Sequence, residues 1–435
     1  MKRFRFGISR YYNGVASRQT TICCSAVALI ALLARAACAQ TAVPAARAVK
    51  QTHSADDKTP LALFPVAPIW TLALNSALSA PPAFRGSLAV FALEGEQIVA
   101  YDLAKGSRLW LTTIATDVEP AIGANEVFIA DDGGIAALSI SSGEVLWHQP
   151  FRAELATAPV ADRDRLILST SEGDIIALRA SDGGEIWRRH LPRAASSRPA
   201  PTATRLFVAT ADKQVVALNS DDGSLVWTRL LNGVGRDILA GEDRIFLGAQ
   251  DRIFYCLNAK DGEVAWRWPN VADAIGLPAA DDRTVYFVSL DNLLRGLNRA
   301  SGVQRWKSAL PFRPISGPLK WSETLVVAGT EPSVQAFSTS DGKSFGRYGV
   351  STELSAPPSL FVDNARVFPV LVTISSDIVG RATVTGATRD IEPAMSPVTA
   401  LPNAVPMPTI PSPPSDLGAV SPLPNLTRVV PRAEP

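Results

Sequence analysis

Tryptophan punctuates this chain at a nearly fixed interval. Trp70, Trp110, Trp147, Trp187, Trp227, Trp266 and Trp306 stand 40, 37, 40, 40, 39 and 40 residues apart. A period of 20–50 residues marks an array or ring of like units, each unable to bury its apolar face alone. A glycine precedes six of these tryptophans by four residues: Gly106, Gly143, Gly183, Gly223, Gly262 and Gly302. Gly342 falls 40 residues further on with no tryptophan after it, and Phe345 or Tyr348 is the expected substitute. Five before each glycine is a large apolar residue: Tyr101, Leu138, Leu178, Leu218, Leu257, Leu297 and Phe337. Just before that stands a small one: Ala100, Ala137, Ala177, Ala217, Cys256, Gly296 and Ala336.

The copy Ala177-Leu178-Arg179-Ala180-Ser181-Asp182-Gly183-Gly184-Glu185-Ile186-Trp187 reads as strand, turn and strand. Asp-Gly between apolar runs is a strong hairpin signal, because glycine takes positive φ at little cost. Asn219, Asn258 and Asn298 stand where a side chain can bond the turn backbone. The small residue is expected to let neighbouring sheets approach, and the tryptophan to fill the layer between them. Two more short strands precede each copy, such as Ala158–Val160 followed by Arg165–Thr170. Four short strands per repeat describe propeller blades.

The chain is therefore expected to be all-β, an eight-bladed β-propeller with seven blades as the alternative. A last set of strands begins at Ala356–Phe361, continues at Val367–Val372 and has a third candidate at Ile378–Val384, with no tryptophan strand after it. Trp70–Leu74 lies at the front with no strands before it. The economical closure gives the eighth blade its fourth strand from the N-terminal side. Residues 66–390 supply the 325 positions that eight blades of about 40 residues need.

Outside the ring, Lys2, Arg3, Arg5, Arg10 and Arg18 precede an apolar run from Ile22 to Ala34 that ends in Ala37-Cys38-Ala39. This is the pattern of a secretory signal peptide over residues 1–39. The run of about 13 residues is short of the ~20 that a spanning helix needs. Cleavage before Gln40 and lipidation at Cys38 are two readings of this site, although Arg35 stands where lipoprotein signals usually place an aliphatic residue. Both export the chain. Residues 40–65 read as a flexible linker. Residues 391–435 read as a disordered tail, with twelve prolines between Pro393 and Pro435. Without residues 1–39 the chain carries 36 Lys and Arg against 41 Asp and Glu, a mildly acidic balance that argues against nucleic acid.

The Ala-Leu-x-x-x-(Asp/Ser)-Gly-x-x-x-Trp repeat resembles the tryptophan-docking motif of the quinoprotein (PQQ)-like β-propellers. The resemblance covers about 325 of the 435 residues. The WD40 propellers would need Trp-Asp endings and Gly-His openings, which these repeats lack. A leader followed by one eight-bladed domain most resembles the BamB-like outer-membrane assembly factors within that family. That resemblance implies a monomeric periplasmic scaffold without active site or cofactor. Its partner would be the outer-membrane barrel assembly machinery, and any membrane contact would run through that partner or a lipid anchor. Partner contacts in that family lie in loops, so no contact residue transfers by motif.

The alternatives are a quinone-dependent dehydrogenase and a sugar- or small-ligand-binding propeller. The dehydrogenases bind quinone and calcium at the propeller axis with an Asp base and an Asn/Glu cluster, and many add an adjacent cysteine pair. Here the adjacent pair, Cys23-Cys24, lies in the leader, and Cys256 reads as a buried small residue on the repeat ladder. His53, His148 and His190 read as surface histidines. Asp221-Asp222-Gly223 and Lys260-Asp261-Gly262 read as hairpin turns, since they lack the alternating acids of calcium loops. Arg188, Arg189, Arg193 and Arg198 cluster at one blade-to-blade connection and form a candidate patch for an acidic partner surface.

Overall fold

The computed structural model describes residues 62–389 and the backbone of 399–400. The chain divides into two units, Met1–Asp57 and Lys58–Pro435, and every described residue belongs to the second. The leader, Cys38 and His53 lie outside the described residues, as does most of the proline-rich tail.

Eight sheets, seven of them wholly antiparallel, form a ring of blades. Blade 1 contains Ala83–Arg85, Leu88–Leu93, Gln97–Asp102 and Ser107–Thr113. The next six repeat this order, from innermost strand to outermost. Blade 4, for example, runs Ala200–Pro201, Arg205–Ala209, Gln214–Asn219, Leu225–Leu230. Blade 8 holds Ser359–Phe361, Val370–Ser376 and Ala382–Thr388, and is closed by the N-terminal strand Ala67–Ala73, antiparallel to Ala382–Thr388. Eight blades closed from the N-terminal side is the architecture that the tryptophan interval implies. Two strand positions differ from expectation. The second strand of blade 8 starts at Val370, after Pro369, which has no N–H to give the ladder. The third starts at Ala382, because Asp377–Arg381 forms a turn that leaves Ile378 in solvent.

The repeat residues play parts that their sequence neighbours do not reveal. Each tryptophan lies directly across from the small residue of its own blade, as in Ala177↔Trp187, Cys256↔Trp266 and Gly296↔Trp306. At Gly296 a Cβ would come within 2.6 Å of the Trp306 ring. The small position thus makes room for the indole laid over its own sheet, and its role is not sheet-to-sheet approach. An aromatic one strand further in extends the layer, with Phe128–Trp147, Phe207–Trp227, Phe246–Trp266 and Tyr286–Trp306 centroids 5.8–5.9 Å apart.

The glycine belongs to the tryptophan of the preceding blade. Gly143, Gly183, Gly223, Gly262, Gly302 and Gly342 sit under Trp110, Trp147, Trp187, Trp227, Trp266 and Trp306, so close that a Cβ would come 2.4–2.8 Å from the indole. Their φ values, with that of Gly106, lie between +66° and +73°, so the left-handed backbone and the contact both demand glycine. The turn is wider than a two-residue hairpin. Gly183 N–H donates to Arg179 C=O at 2.8 Å, and Arg179 N–H to Gly184 C=O at 2.7 Å, which encloses four residues.

Each indole N–H then donates to a carbonyl three residues before that glycine. Trp110 reaches Ile140 at 2.7 Å, Trp147 Ala180 at 2.8 Å, Trp187 Ser220 at 3.1 Å, Trp227 Ala259 at 3.0 Å, Trp266 Arg299 at 3.0 Å and Trp306 Thr339 at 2.9 Å. Every boundary from blade 1 to blade 7 is sealed in this way.

Blade 7 breaks the pattern. Gly346 stands opposite Ala336, where the other blades have tryptophan. Neither Phe345 nor Tyr348 takes the place: Phe345 points outward, 40% exposed, and Tyr348 packs at the margin. Phe64 fills it instead, lying over Gly346 so closely that a Cβ there would come 2.7 Å from the ring. Leu63 and Phe64 are buried with Val326, Ala328, Val334 and Ala336 of blade 7 and Leu371 of blade 8. Leu63 N–H donates to Thr324 Oγ1 at 3.1 Å, and Arg389 Nη1 donates to Ala62 C=O at 2.5 Å. The residues just before the closing strand thus replace the missing tryptophan. Substituting Phe64→Ala should cost about 3 kcal/mol or more, and Phe345→Ala less than about 1 kcal/mol. Chemical denaturation of both variants checks the contrast, and equal losses would contradict this assignment.

Candidate interaction surface

The turns between second and third strands and the blade-to-blade connections share one face of the ring. Of the four arginines of the candidate patch, Arg188 and Arg189 lie on the outermost strand of blade 3 and Arg193 and Arg198 on the connection to blade 4. Arg188, on the strand Glu185–His190, donates to Asp174 at 2.9 Å and to Glu185 at 2.7 Å. Asp174 also accepts from His190 Nδ1 at 2.8 Å. The hydrogen bond from His190, with that from Arg188, holds the Asp174 carboxyl below its ordinary range, and Glu185 and Asp174 raise Arg188. Arg189 is half-buried, and its Nε has no hydrogen-bond partner. Arg193 is exposed, and no ion pair ties it to the other described residues.

Arg198 faces the centre of the ring. It grips Glu119 with both terminal nitrogens, Nη1 to Oε1 at 2.8 Å and Nη2 to Oε2. Glu119 precedes blade 2 and Arg198 precedes blade 4, with blade 3 between them, so the pair joins non-adjacent blades and must lie at the mouth of the axis. The hydrogen bonds to Glu119, and the nearby Asp237, raise the Arg198 pKa. Strand register makes these three positions equivalent, since Ala121, Ala200 and Leu239 all pair with the phenylalanine opposite the small residue. In blades 3, 6, 7 and 8 the same position holds Ala158, Leu277, Gly317 and Pro357. Aligning the repeats over their first strands would have exposed this charged trio; the tryptophan motif, 10–30 residues away, does not.

An open groove of about 480 Å³ lies on the same face over blades 1 and 2. Glu94, Glu96, Asp117, Asp131, Asp132 and Glu154 line it, with Leu93, Phe151 and Leu155 beneath. Asp131 is committed to His148 at 3.1 Å and to the backbone N–H of Gly133 and Gly134.

The remaining candidates settle into structural positions. Cys256 is fully buried in the layer between blades 5 and 6, and burial pushes its thiol up to about 12. Tyr255, buried and donating to Asp251 at 2.5 Å, is likewise pushed up to about 12. Asp222 and Asp261 turn their carboxylates onto the backbone N–H of Ser224 and Glu263 at 2.9 Å, as hairpin-turn residues do. Asp221 binds Arg165 at 2.7 Å. Among the described residues no three His, Cys, Asp or Glu side chains gather as a metal site would need.

The sequence model of the outer membrane protein assembly factor BamB family matches residues 66–158, 132–238 and 232–368, more than half of the chain. The chain belongs to the BamB family. A curated relative, the outer membrane protein assembly factor BamB of Yersinia pestis, is 27% identical over 123 residues. That match spans 27% of this chain and 31% of the relative. Among solved structures, BamB from Moraxella catarrhalis superposes with a TM-score of 0.61 at 16% identity, over 75% of this chain and all of that one. The quinohemoprotein alcohol dehydrogenase of Comamonas testosteroni gives a TM-score of 0.60 at 12% identity, over 74% of this chain and 76% of that one. Assembly factor and dehydrogenase thus share one ring with this protein, and the likeness to both structures concerns the fold alone.

At neutral pH the Cys256 thiol should stay neutral and sealed, because its raised pKa favours the protonated form. Alkylation by iodoacetamide, followed by peptide mass mapping, should label Cys256 only at the rate of unfolding. Labelling within minutes of the native protein would contradict the burial.

Proposed function

We propose that this protein is an exported, non-catalytic scaffold of the periplasm that binds other proteins and assists outer-membrane β-barrel assembly as BamB-family members do. The observation that carries the reading is the run of the family match along nearly the whole ring, residues 66–368. The geometry supports it. Tryptophans seal the boundaries from blade 1 to blade 7 and Phe64 fills the place of the missing one in blade 7, so the loops can be presented on a rigid frame. Binding and orientation need nothing more, and no bond-making step is required.

A quinone-dependent dehydrogenase is the competing reading, because that enzyme class shares the fold. The residues do not fit a quinone and its calcium. The Glu119 carboxylate at the axis is held bidentate by Arg198 and has no free pair of oxygens for a cation. Cys256 lies within a blade interface and is the one cysteine among the described residues.

Two measurements test the proposal. Affinity purification of the full chain from detergent-solubilised envelope should recover a subunit of the barrel assembly machinery, and Arg193→Glu should weaken that recovery several-fold while Arg188→Glu acts mainly on stability. Recovery of no such subunit overturns the assembly role. Calcium with pyrroloquinoline quinone should leave the melting temperature within about 1 °C, since only a ligand that binds the native state raises it. A rise of several degrees at saturating quinone would restore the enzyme reading.

A further inference from the structure

Blade 8 differs from the other seven in having a fifth strand. Thr399–Ala400 pairs parallel to the outer edge of the closing strand, in the register Trp70↔Thr399 and Thr71↔Ala400. Among the described residues, blades 1–7 hold four strands each. The covered edge is the one where ring closure depends on a strand from the far end of the chain. Ala67–Ala73 is held on its inner side by Ala382–Thr388 through six residue pairs, with an irregularity between Pro68 and Trp70. The C-terminal chain therefore grips the closing strand from both sides, and the strand cannot leave without breaking both ladders.

We propose that Thr399–Ala400 is a latch: a segment of the proline-rich tail that locks the propeller closed by pairing over the outer edge of the N-terminal strand. Three features point to the device. It is a backbone contact, so a segment of little apolar content can make it. Ten residues, 389–398, separate it from Thr388, enough chain to cross one strand width of about 4.8 Å to each side. The end it holds also carries Phe64, the stand-in for the missing tryptophan of blade 7, so loosening the closing strand loosens two blade boundaries together. The same cover denies an open sheet edge to other chains at the ring's one non-covalent seam.

The test compares the full chain with chains ending at Arg389 and at Val405. Loss of the latch in the first should lower the melting temperature by about 2–4 °C. It should also speed amide exchange across Ala67–Ala73, while the chain ending at Val405 behaves as the full one. Equal melting and equal exchange in all three would overturn the proposal. If the chain ending at Arg389 does not fold, the double variant Thr71→Cys, Ala400→Cys decides, made with Cys23, Cys24 and Cys38 replaced by serine. Cα atoms paired across a sheet lie within disulfide reach. Mild oxidation should form an intramolecular cross-link in the monomer, and its absence would equally overturn the latch.

Discussion

The structure depends on one contact repeated around a circle. An indole lies flat on the turn glycine of the next blade and passes its N–H to a carbonyl three residues earlier. The contact joins two demands that are usually met separately. The large apolar face is removed from water, and the ring nitrogen is satisfied against a backbone carbonyl that a tight turn would otherwise leave without a partner. At two boundaries an arginine shares that carbonyl, Arg165 at Ser220 and Arg205 at Ala259, so the seam is polar as well as apolar. Because six successive boundaries use the same pair of residues, the angle between blades is repeated from blade 1 to blade 7.

Closure is where the repetition fails, and the compensation is local. The outermost strand of blade 7 has no tryptophan, and the void over Gly346 would open the interface with blade 8. Phe64 enters from the other end of the chain and fills it. The neighbouring residues of that segment then become the fourth strand of blade 8. The weakest boundary in the repeat is thus the one reinforced by the chain ends, through apolar filling by Phe64, strand pairing by Ala67–Ala73 and the outer pairing of Thr399–Ala400.

What separates a scaffold from an enzyme on such a ring is the inner rim, where the first strands converge. There the equivalent residues of eight blades vary freely, because they carry no part of the docking. Glu119, Arg198 and Asp237 place charge on three blades while Ala158, Leu277, Gly317 and Pro357 leave others plain. The bidentate pair between Arg198 and Glu119 joins the rims of blades 2 and 4 and engages both oxygens of the Glu119 carboxylate. The loop face beyond it carries the exposed Arg193 and the acidic groove over blades 1 and 2.

The repeat by itself pointed to four-stranded blades in a ring of eight, with seven as the alternative, and to closure from the N-terminal side; the eight sheets of the structure decide the number. An interval of 40 residues is a length constraint, and length fixes how many strands each unit can hold. Positive φ at the turn was legible for the same local reason, since Asp-Gly offers it directly. The tertiary structure decided which glycine meets which tryptophan. That contact runs between successive copies, so the spacing within a copy is silent about it. It decided that Phe64 and not Phe345 fills blade 7, because the vacancy is defined by two sheets that the chain joins only on closing. It also decided that Arg198 belongs to Glu119, 79 residues away. Such a charge finds its partner across the axis of a ring, and the distance across a ring exists only once the ring is shut.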